Sequence, residues 1–214
     1  MTDHCPLCRW DRTLPFHEDA RRSYLRCGQC ALVFVPGRFR LSRDEERAQY
    51  LLHENDVDDP GYRRFLSRLA DPLVLRLSPA SLGLDFGCGP APALAAMLEQ
   101  HGHKVARYDS FFAPEAAALQ QHYDFVTATE VVEHLHDPAT ELRRLWSLIV
   151  EDGWLAVMTK LVRDREAFAR WHYIRDPTHV CFFSRDTWRW WARQQGAGLD
   201  FVADDVMLLQ KKPV

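Results

Sequence analysis

The chain has 214 residues and a formal charge of −3, with 27 Lys+Arg against 30 Asp+Glu. That length accommodates one full domain and a small appendage. The acidic balance argues against a general nucleic-acid or membrane-surface binder, although residues 1–40 carry seven Arg against four Asp/Glu. There is no run of about 18 apolar residues, and Met1-Thr2-Asp3-His4 lacks the basic and apolar regions of a signal peptide. The expected location is therefore cytoplasmic, which makes the six cysteines ligands or buried thiols rather than disulfides.

The first predicted unit, residues 1–40, is built around Cys5-Pro-Leu-Cys8 and Cys27-Gly-Gln-Cys30. Two C-x2-C pairs at this separation match a four-thiolate zinc site, each pair turning two sulfurs toward one ion. Short strands over 21–25 and 31–35 would flank the second pair as in a zinc ribbon. So small a unit buries too little core to fold alone, and zinc would supply folding energy on the order of 10–16 kcal/mol. Four thiolates fill the tetrahedron, so the ion is expected to be structural. The remaining thiols, Cys88 and Cys181, read as buried small residues, with Cys88 able to touch a ligand through its backbone.

Residues 41–79 read as a helical linker or cap. Ser42, followed by Asp44, Glu45 and Glu46, opens a helix to about residue 53, and a second from about Gly61 spaces Phe65, Leu66, Leu69, Leu73 and Leu77 along one face. From there His53, Asn55 and Tyr62 could reach a ligand; the alternative is a solvated loop and an ordinary packing contact.

Residues 80–214 alternate strands and helices. Strands are expected over 82–86, 104–108, 125–129, 154–159, 199–203 and 206–210, and helices over 91–101, 114–122, 138–150, 163–171 and 184–195. Apolar strands alternating with helices predict a parallel or mixed sheet covered on both faces, ending in an antiparallel hairpin. Trp188, Trp190 and Trp191 lie on two faces of the last helix. Core packing is the default for two of them, leaving one for a pocket or a subunit contact.

Within this part, Leu84-Asp85-Phe86-Gly87-Cys88-Gly89-Pro90 is a strand broken by a glycine turn, and Tyr108-Asp109 ends the next strand. Glycines let a ligand approach the main chain, and a carboxylate at Asp109 is placed to accept hydrogen bonds from two ribose hydroxyls. The G-x-G-x-x-G spacing of a pyrophosphate site is absent, and Pro90 and Pro92 remove N–H donors from the helix start. S-adenosylmethionine fits such a nucleoside site better than a dinucleotide does.

On these motifs residues 82–210 resemble a class I S-adenosylmethionine-dependent methyltransferase of the group related to the ubiquinone-biosynthesis O-methyltransferases, and the cysteine unit resembles the zinc module of some bacterial members. The resemblance implies an α/β, Rossmann-like sheet with a small N-terminal zinc ribbon and a helical linker. It implies cofactor contacts from Asp85, Phe86, Gly87, Cys88, Gly89, Tyr108, Asp109, Phe111, Thr129 and Glu130. The segment between Asp109 and Tyr123 holds one helix and no clear third strand, so the adenine clamp usual in the family does not carry over. Phe111 or Phe112 could cover the adenine instead.

Thr129-Glu130-Val131-Val132-Glu133-His134 sets Glu130, Glu133 and His134 at i, i+3 and i+4, on one face of a helical turn. The pattern resembles the E-x-x-E-H of small-RNA 3′-end methyltransferases, in which it and a later His bind a divalent cation; His179, in Asp-Pro-Thr-His-Val, resembles that later residue. Two carboxylates and two imidazoles suit Mn²⁺, Fe²⁺ or Zn²⁺ better than Mg²⁺. A metal-free use of His134, Glu133 and His179 as catalytic groups and a purely structural role are the alternatives. Residues 171–176 add aromatic and charged groups in a loop that caps substrate in this fold.

The expected function is methylation of a small-molecule acceptor, O-methylation first, with a divalent metal as a possible aid. An RNA methyltransferase that uses the ribbon to hold nucleic acid and a non-catalytic S-adenosylmethionine-binding protein are the competing classes. The acceptor and the oligomeric state are not legible.

Overall fold

The computed structural model describes residues 4–52 and 56–213. The cysteine-bearing segment forms an antiparallel meander of β1 (Thr13–Glu18), β2 (Ser23–Cys27) and β3 (Val33–Phe34). The sequence predicts the last two but not β1, whose Pro15 and mostly exposed residues mark an edge strand. The meander does not stand alone. A two-residue strand from the distal part of the chain, β8 (Cys181–Phe182), pairs antiparallel with β3 and becomes its fourth strand.

Two helices follow, α1 (Arg43–Tyr50) and α2 (Pro60–Val74). Ser42 and Glu45 cap α1 reciprocally; Asp59 caps α2, with Pro60 in its first turn. His53 and Asn55, singled out above, lie outside the described residues. α1 buries none of its side chains fully. α2 buries Leu66, Leu69, Ala70 and Leu73 against the main sheet.

The other strands are β4 (Leu82–Phe86), β5 (Lys104–Tyr108), β6 (Tyr123–Thr129), β7 (Ile149–Met158), β9 (Gly198–Phe201) and β10 (Val206–Gln210). They form one sheet in the order β5-β4-β6-β7-β10-β9, parallel from β5 through β7 and antiparallel beyond. The helices are α3 (Ala93–Gln100), α4 (Pro138–Ser147), α5 (Arg165–Ala169) and α6 (Arg185–Gln195). Alternation along β10 divides the core. Val206 and Leu208 face the layer of α2 and α3, while Met207 and Leu209 face that of α4 and α6. Trp188 and Trp191 are buried on the second face; Trp190 is half-buried at the margin of the same core.

Several boundaries differ from the sequence-based ones. The strand expected from Trp154 begins at Ile149, running through Glu151-Asp152-Gly153, where Asp152 takes φ 62° and the pairing with β6 shifts register. The helix expected over 114–122 is only a 3-10 turn over Ala116–Gln120, held by the Tyr123 hydroxyl donating to the Ala118 carbonyl at 2.7 Å. The helix expected over 163–171 shrinks to α5, because Val162 bridges to Ser184. No helix is long and apolar enough to cross a membrane among the described residues.

Candidate functional site

The carboxyl ends of the parallel strands open into a cavity of about 600 Å³, the crevice where open α/β sheets bind ligands. Its floor is the turn after β4. Gly87 and Gly89 both have positive φ, 74° and 62°. A Cβ on Gly87 would sit 2.3 Å from Val131 Cγ2, so glycine there is demanded by packing; one on Gly89 meets nothing within 4 Å and would project into open space. The N–H groups of Gly87 and Cys88 donate to the Tyr108 carbonyl at 2.7 and 3.2 Å. Gly89 N–H donates to Asp109 Oδ2 at 3.1 Å. The turn is thus pre-formed, and Cys88, whose N–H is already used, still borders the cavity, where the sequence led us to expect a backbone contact with a ligand.

Asp109 also accepts from the N–H groups of Phe111 at 2.8 Å and Phe112 at 3.1 Å, both at Oδ1. Three of the carboxylate's four lone-pair positions are occupied. One ribose hydroxyl can be accepted directly, where the sequence led us to expect two. Phe86, Tyr108, Phe111 and Phe112 border the cavity, with the rings of Phe86 and Tyr108 stacked at 5.4 Å. The linker closes the opposite side. Tyr62 of α2 lies on the wall, Tyr50 of α1 packs on Phe111 and His134, and Glu46 pairs with His136 Nε2 at 2.7 Å. Glu46, Tyr50, His136 and Lys160 carry no sequence signal of their own; tertiary packing alone brings them here.

Asp85 does not border the cavity. It is 3 % exposed, beneath the glycine turn, and accepts from Thr127 Oγ1 at 2.8 Å. Burial pushes its carboxyl up to about 6, with the Thr127 hydrogen bond only partly opposing. The folded chain therefore retains a proton that the unfolded chain releases, and stability falls as pH rises from about 4 through about 6. Asp85→Asn keeps an acceptor for Thr127 and avoids burying the charge. Its melting temperature should exceed wild type at pH 8, by the equivalent of roughly 2–3 kcal/mol, and match it at pH 4. A variant less stable than wild type at pH 8 would refute this account.

At the far end of the cavity the reading of Glu130, Glu133 and His134 as one helical face changes. Glu130 ends β6 with φ 53°, and Val132–His134 form a 3-10 turn, so the three side chains are not on one α-helical stripe. Ligand atoms of Glu133, His134 and His179 all lie within 4.8 Å of one another, and Glu130 stands outside that group. Tyr173 intervenes. Its hydroxyl donates to Glu133 Oε1 in a short hydrogen bond and lies 3.5 Å from Glu130 Oε2. Burial, then the Glu133 charge, raises Glu130 to about 8; burial and the same carboxylates raise the Tyr173 phenol well above its ordinary value.

His179 Nδ1 lies 2.8 Å from the Tyr173 carbonyl, an acceptor only, so Nδ1 carries the hydrogen and Nε2 a lone pair. Burial and the neighbouring His134, whose ring centroid is 4.7 Å away, hold His179 down to about 4, a neutral imidazole at physiological pH. Four buried polar atoms here, Thr129 Oγ1, Glu130 Oε1, Glu133 Oε2 and His134 Nδ1, have no protein partner among the described residues. Orphaned buried acceptors are rare in folded proteins and call for a ligand, ion or water. One carboxylate and two imidazoles are a chemically suitable donor set for a first-row divalent cation.

The four ribbon cysteines are free thiols. Cys5 Sγ and Cys30 Sγ are 3.5 Å apart, Cys8 Sγ and Cys27 Sγ 3.4 Å, and all four lie within 4.8 Å of one another. A tetrahedron with metal–sulfur bonds of about 2.3 Å has edges near 3.8 Å, so the donors fit zinc. The ribbon also grips the segment that carries Tyr173 and His179. Buried Arg22 donates to the carbonyls of Ile174 and Asp176, each at 2.8 Å, and of Pro177 at 3.1 Å. Val35 N–H donates to the Val180 carbonyl at 2.9 Å, and Val180 N–H to the Glu133 carbonyl at 2.8 Å.

A family model described as "Methyltransferase domain" matches residues 62–202, more than half of the chain. Over 77 residues the chain is 32% identical to a ubiquinone biosynthesis O-methyltransferase of Nitrosospira multiformis, covering 36% of this chain and 32% of that protein. The match thus spans about a third of that relative's length. The structure of Burkholderia thailandensis 1,6-didemethyltoxoflavin-N1-methyltransferase, with 1,6-didemethyltoxoflavin and S-adenosylhomocysteine bound, aligns with TM-score 0.50 at 17% identity over 93% of this chain and 99% of that one. Magnesium protoporphyrin IX methyltransferase from Synechocystis PCC 6803, with S-adenosylhomocysteine bound, aligns with TM-score 0.53 at 16% identity over 80% and 95%. At such identities the likeness speaks for the fold.

Proposed function

The chain belongs to the methyltransferase-domain family and has the Rossmann-like sheet of class I S-adenosylmethionine-dependent methyltransferases, and from that premise we propose that it transfers the methyl group of S-adenosylmethionine to a hydroxyl of a small-molecule acceptor, assisted by a divalent cation. One observation supports this above the others. The cavity that begins at the glycine turn and Asp109 ends at a cluster of buried, unpartnered carboxylate and imidazole atoms.

In this reading Asp109 would hold the cofactor's ribose and Phe111 and Phe112 would cover its adenine, with Glu130 and His134 left for the reacting side of the cavity. A sulfonium methyl is already activated, so alignment of nucleophile, carbon and sulfur does most of the work. The residues near the acceptor then have separable tasks. Tyr173 holds the Glu133 carboxylate in place through its hydroxyl, and the Tyr173 carbonyl fixes the His179 tautomer with Nε2 free. Glu133, His134 and His179 would hold the cation, which when bound lowers the pKa of a coordinated hydroxyl and orients it. His179 is too weak a base, at about 4, for efficient proton abstraction at neutral pH, which favours a ligand over a general base. Tyr50, Tyr62 and the Glu46–His136 pair shield the cavity from solvent.

The ribbon's Cys5, Cys8, Cys27 and Cys30 would carry a structural zinc, and a cytoplasmic location would keep these thiols reduced. A metal-free mechanism is the second reading, favoured by Tyr173 lying between Glu130 and Glu133, with Glu130 raised into the range of a general base.

The test incubates the protein with trideuteromethyl S-adenosylmethionine and metabolite or RNA extracts, with and without EDTA, and follows labelled products by mass spectrometry. We expect a labelled small molecule, loss of labelling in EDTA, and recovery on adding Mn²⁺ or Fe²⁺. Equal labelling in EDTA, with zinc confined to the ribbon, sinks the metal-assisted mechanism. A product found only in the RNA fraction sinks the small-molecule acceptor.

A further inference from the structure

A second and larger hollow, about 1150 Å³, lies between the ribbon and the catalytic sheet. One wall comes from β1 and β2; the other comes from residues 160–168 after β7 and from the start of α6. Lys160 borders both this hollow and the cofactor cavity, so the two meet at the acceptor end.

Charge is distributed here against the trend of the chain. Three arginines of the hollow are paired with aspartates of the same walls: Arg68 with Asp205 at 2.9 Å, Arg185 with Asp204 at 3.5 Å, and Arg189 with Asp186 at 3.0 Å. Arg26, Arg163, Arg165 and Lys160 have no carboxylate within ion-pair distance among the described residues. The Lys160 ammonium instead rests 2.9 Å from His172 Nε2 and over the Tyr173 ring. The remaining carboxylate, Asp164, caps α5 by accepting the Ala167 N–H at 2.7 Å. A cation excess in one concave surface of a chain of net charge −3 is therefore local. Concave walls concentrate such a field on whatever enters. The ribbon wall adds an apolar strip, with Leu14 65% exposed at the lip and Phe16 behind it.

We propose that this hollow binds an anionic group of the acceptor, a phosphate or carboxylate, on Arg26, Arg163, Arg165 and Lys160, with an apolar portion of the same molecule against Leu14. The inference rests on the methyl-transfer reading, because the hollow matters to the reaction only through Lys160, the residue it shares with the acceptor end. It makes the ribbon part of the acceptor site, since Arg26 and Leu14 belong to it. Guanidinium groups recognise planar anions bidentately, so the arginines supply affinity and Lys160 a point charge at the junction.

The test uses the full chain with zinc present and titrates inorganic pyrophosphate and, separately, citrate at constant ionic strength. Binding is followed by the fluorescence of Trp171, which borders the hollow, and by calorimetry, with chloride as control. S-adenosylhomocysteine affinity is measured in parallel. We expect saturable binding of pyrophosphate or citrate, weakened about tenfold or more in Arg163→Ala/Arg165→Ala and in Arg26→Ala, with S-adenosylhomocysteine affinity unchanged. The preferred anion tells a phosphate from a carboxylate acceptor. Neither anion binding better than chloride, or variants that bind as wild type does, overturns the proposal. A single-stranded RNA that competes with a steep salt dependence overturns it in favour of nucleic acid. Failure to bind S-adenosylhomocysteine would instead count against the methyl-transfer reading, and the anion titration is read independently of it.

Discussion

Replacing His179 by alanine is expected to lower methyl transfer by about a hundredfold or more while leaving S-adenosylhomocysteine affinity within about twofold of wild type. The asymmetry follows from where the residue stands. In the proposed reading His179 is on the acceptor side; it is buried, its Nδ1 hydrogen is committed to the Tyr173 carbonyl, which leaves the Nε2 lone pair free, and it clusters with Glu133 and His134. The proposed cofactor contacts lie at the other end, on the glycine turn and Asp109. Glu133→Gln separates the possible roles. It keeps an oxygen for the Tyr173 hydroxyl but removes the charge that a cation needs. In the metal-assisted reading it loses as much activity as His179→Ala and also loses the second equivalent of bound metal, measured on the protein directly. In the metal-free reading metal content does not change, and the loss is smaller. His122→Ala, an exposed histidine remote from the cavity, controls for nonspecific effects. A His179→Ala protein with near-normal turnover would remove this end of the cavity from the mechanism.

How far these features could be read from the sequence depends on how local their causes are. β4, β5 and β10 have the expected bounds, because each is a short stretch closed at its ends by glycine or polar residues, signals contained within a few residues. The start of β7 is hidden by Glu151-Asp152-Gly153. These residues look like a turn, yet they extend the strand because Asp152 N–H donates to the Lys211 carbonyl at 2.8 Å and Lys211 N–H returns to Gly153 at 2.9 Å. The glycine turn and its junction with Asp109 are legible for the same local reason. The geometry of Glu130, Glu133 and His134 is not: spacing at i, i+3 and i+4 brings side chains together only on an α-helix, and the positive φ of Glu130 breaks that premise. Tyr173 enters the gap from a loop far along the chain. The pairing of β8 with the ribbon is equally illegible, being two residues long and set by register rather than composition.

That pairing leads to the second large effect. Stripping the proposed zinc, or changing Cys5 and Cys27 to serine, is expected to loosen residues 172–182 as well as the ribbon, raising amide hydrogen exchange there by about a hundredfold or more, while β4 and β6 stay protected. The ribbon holds this segment on one side, and Glu133, through Tyr173 and Val180, on the other. Val33 and Phe34 pair with Phe182 and Cys181, Val35 with Val180, and Arg22 with the three main-chain carbonyls of Ile174, Asp176 and Pro177. Tyr24 completes the clamp, donating to Asp19 Oδ2 at 2.9 Å while receiving Arg22 Nε at the same distance. Hydrogen bonds from a charged group contribute about 1.5–3 kcal/mol each, and the carbonyls left behind are costly when buried. Arg22→Ala should therefore reproduce the exchange pattern at 172–180 with zinc still bound, and Arg22→Lys, which offers fewer donors, should fall between. Because Val180 also receives the ribbon's β3 and passes its own N–H to Glu133, loosening this segment displaces Tyr173, His179 and Glu133 together. Ribbon exchange that rises after zinc removal while residues 172–182 keep their protection would show that the two are energetically separate. The opposite result makes the zinc, far from any reacting atom, a condition for an ordered acceptor end, and explains why four cysteines with no open coordination position belong to this fold.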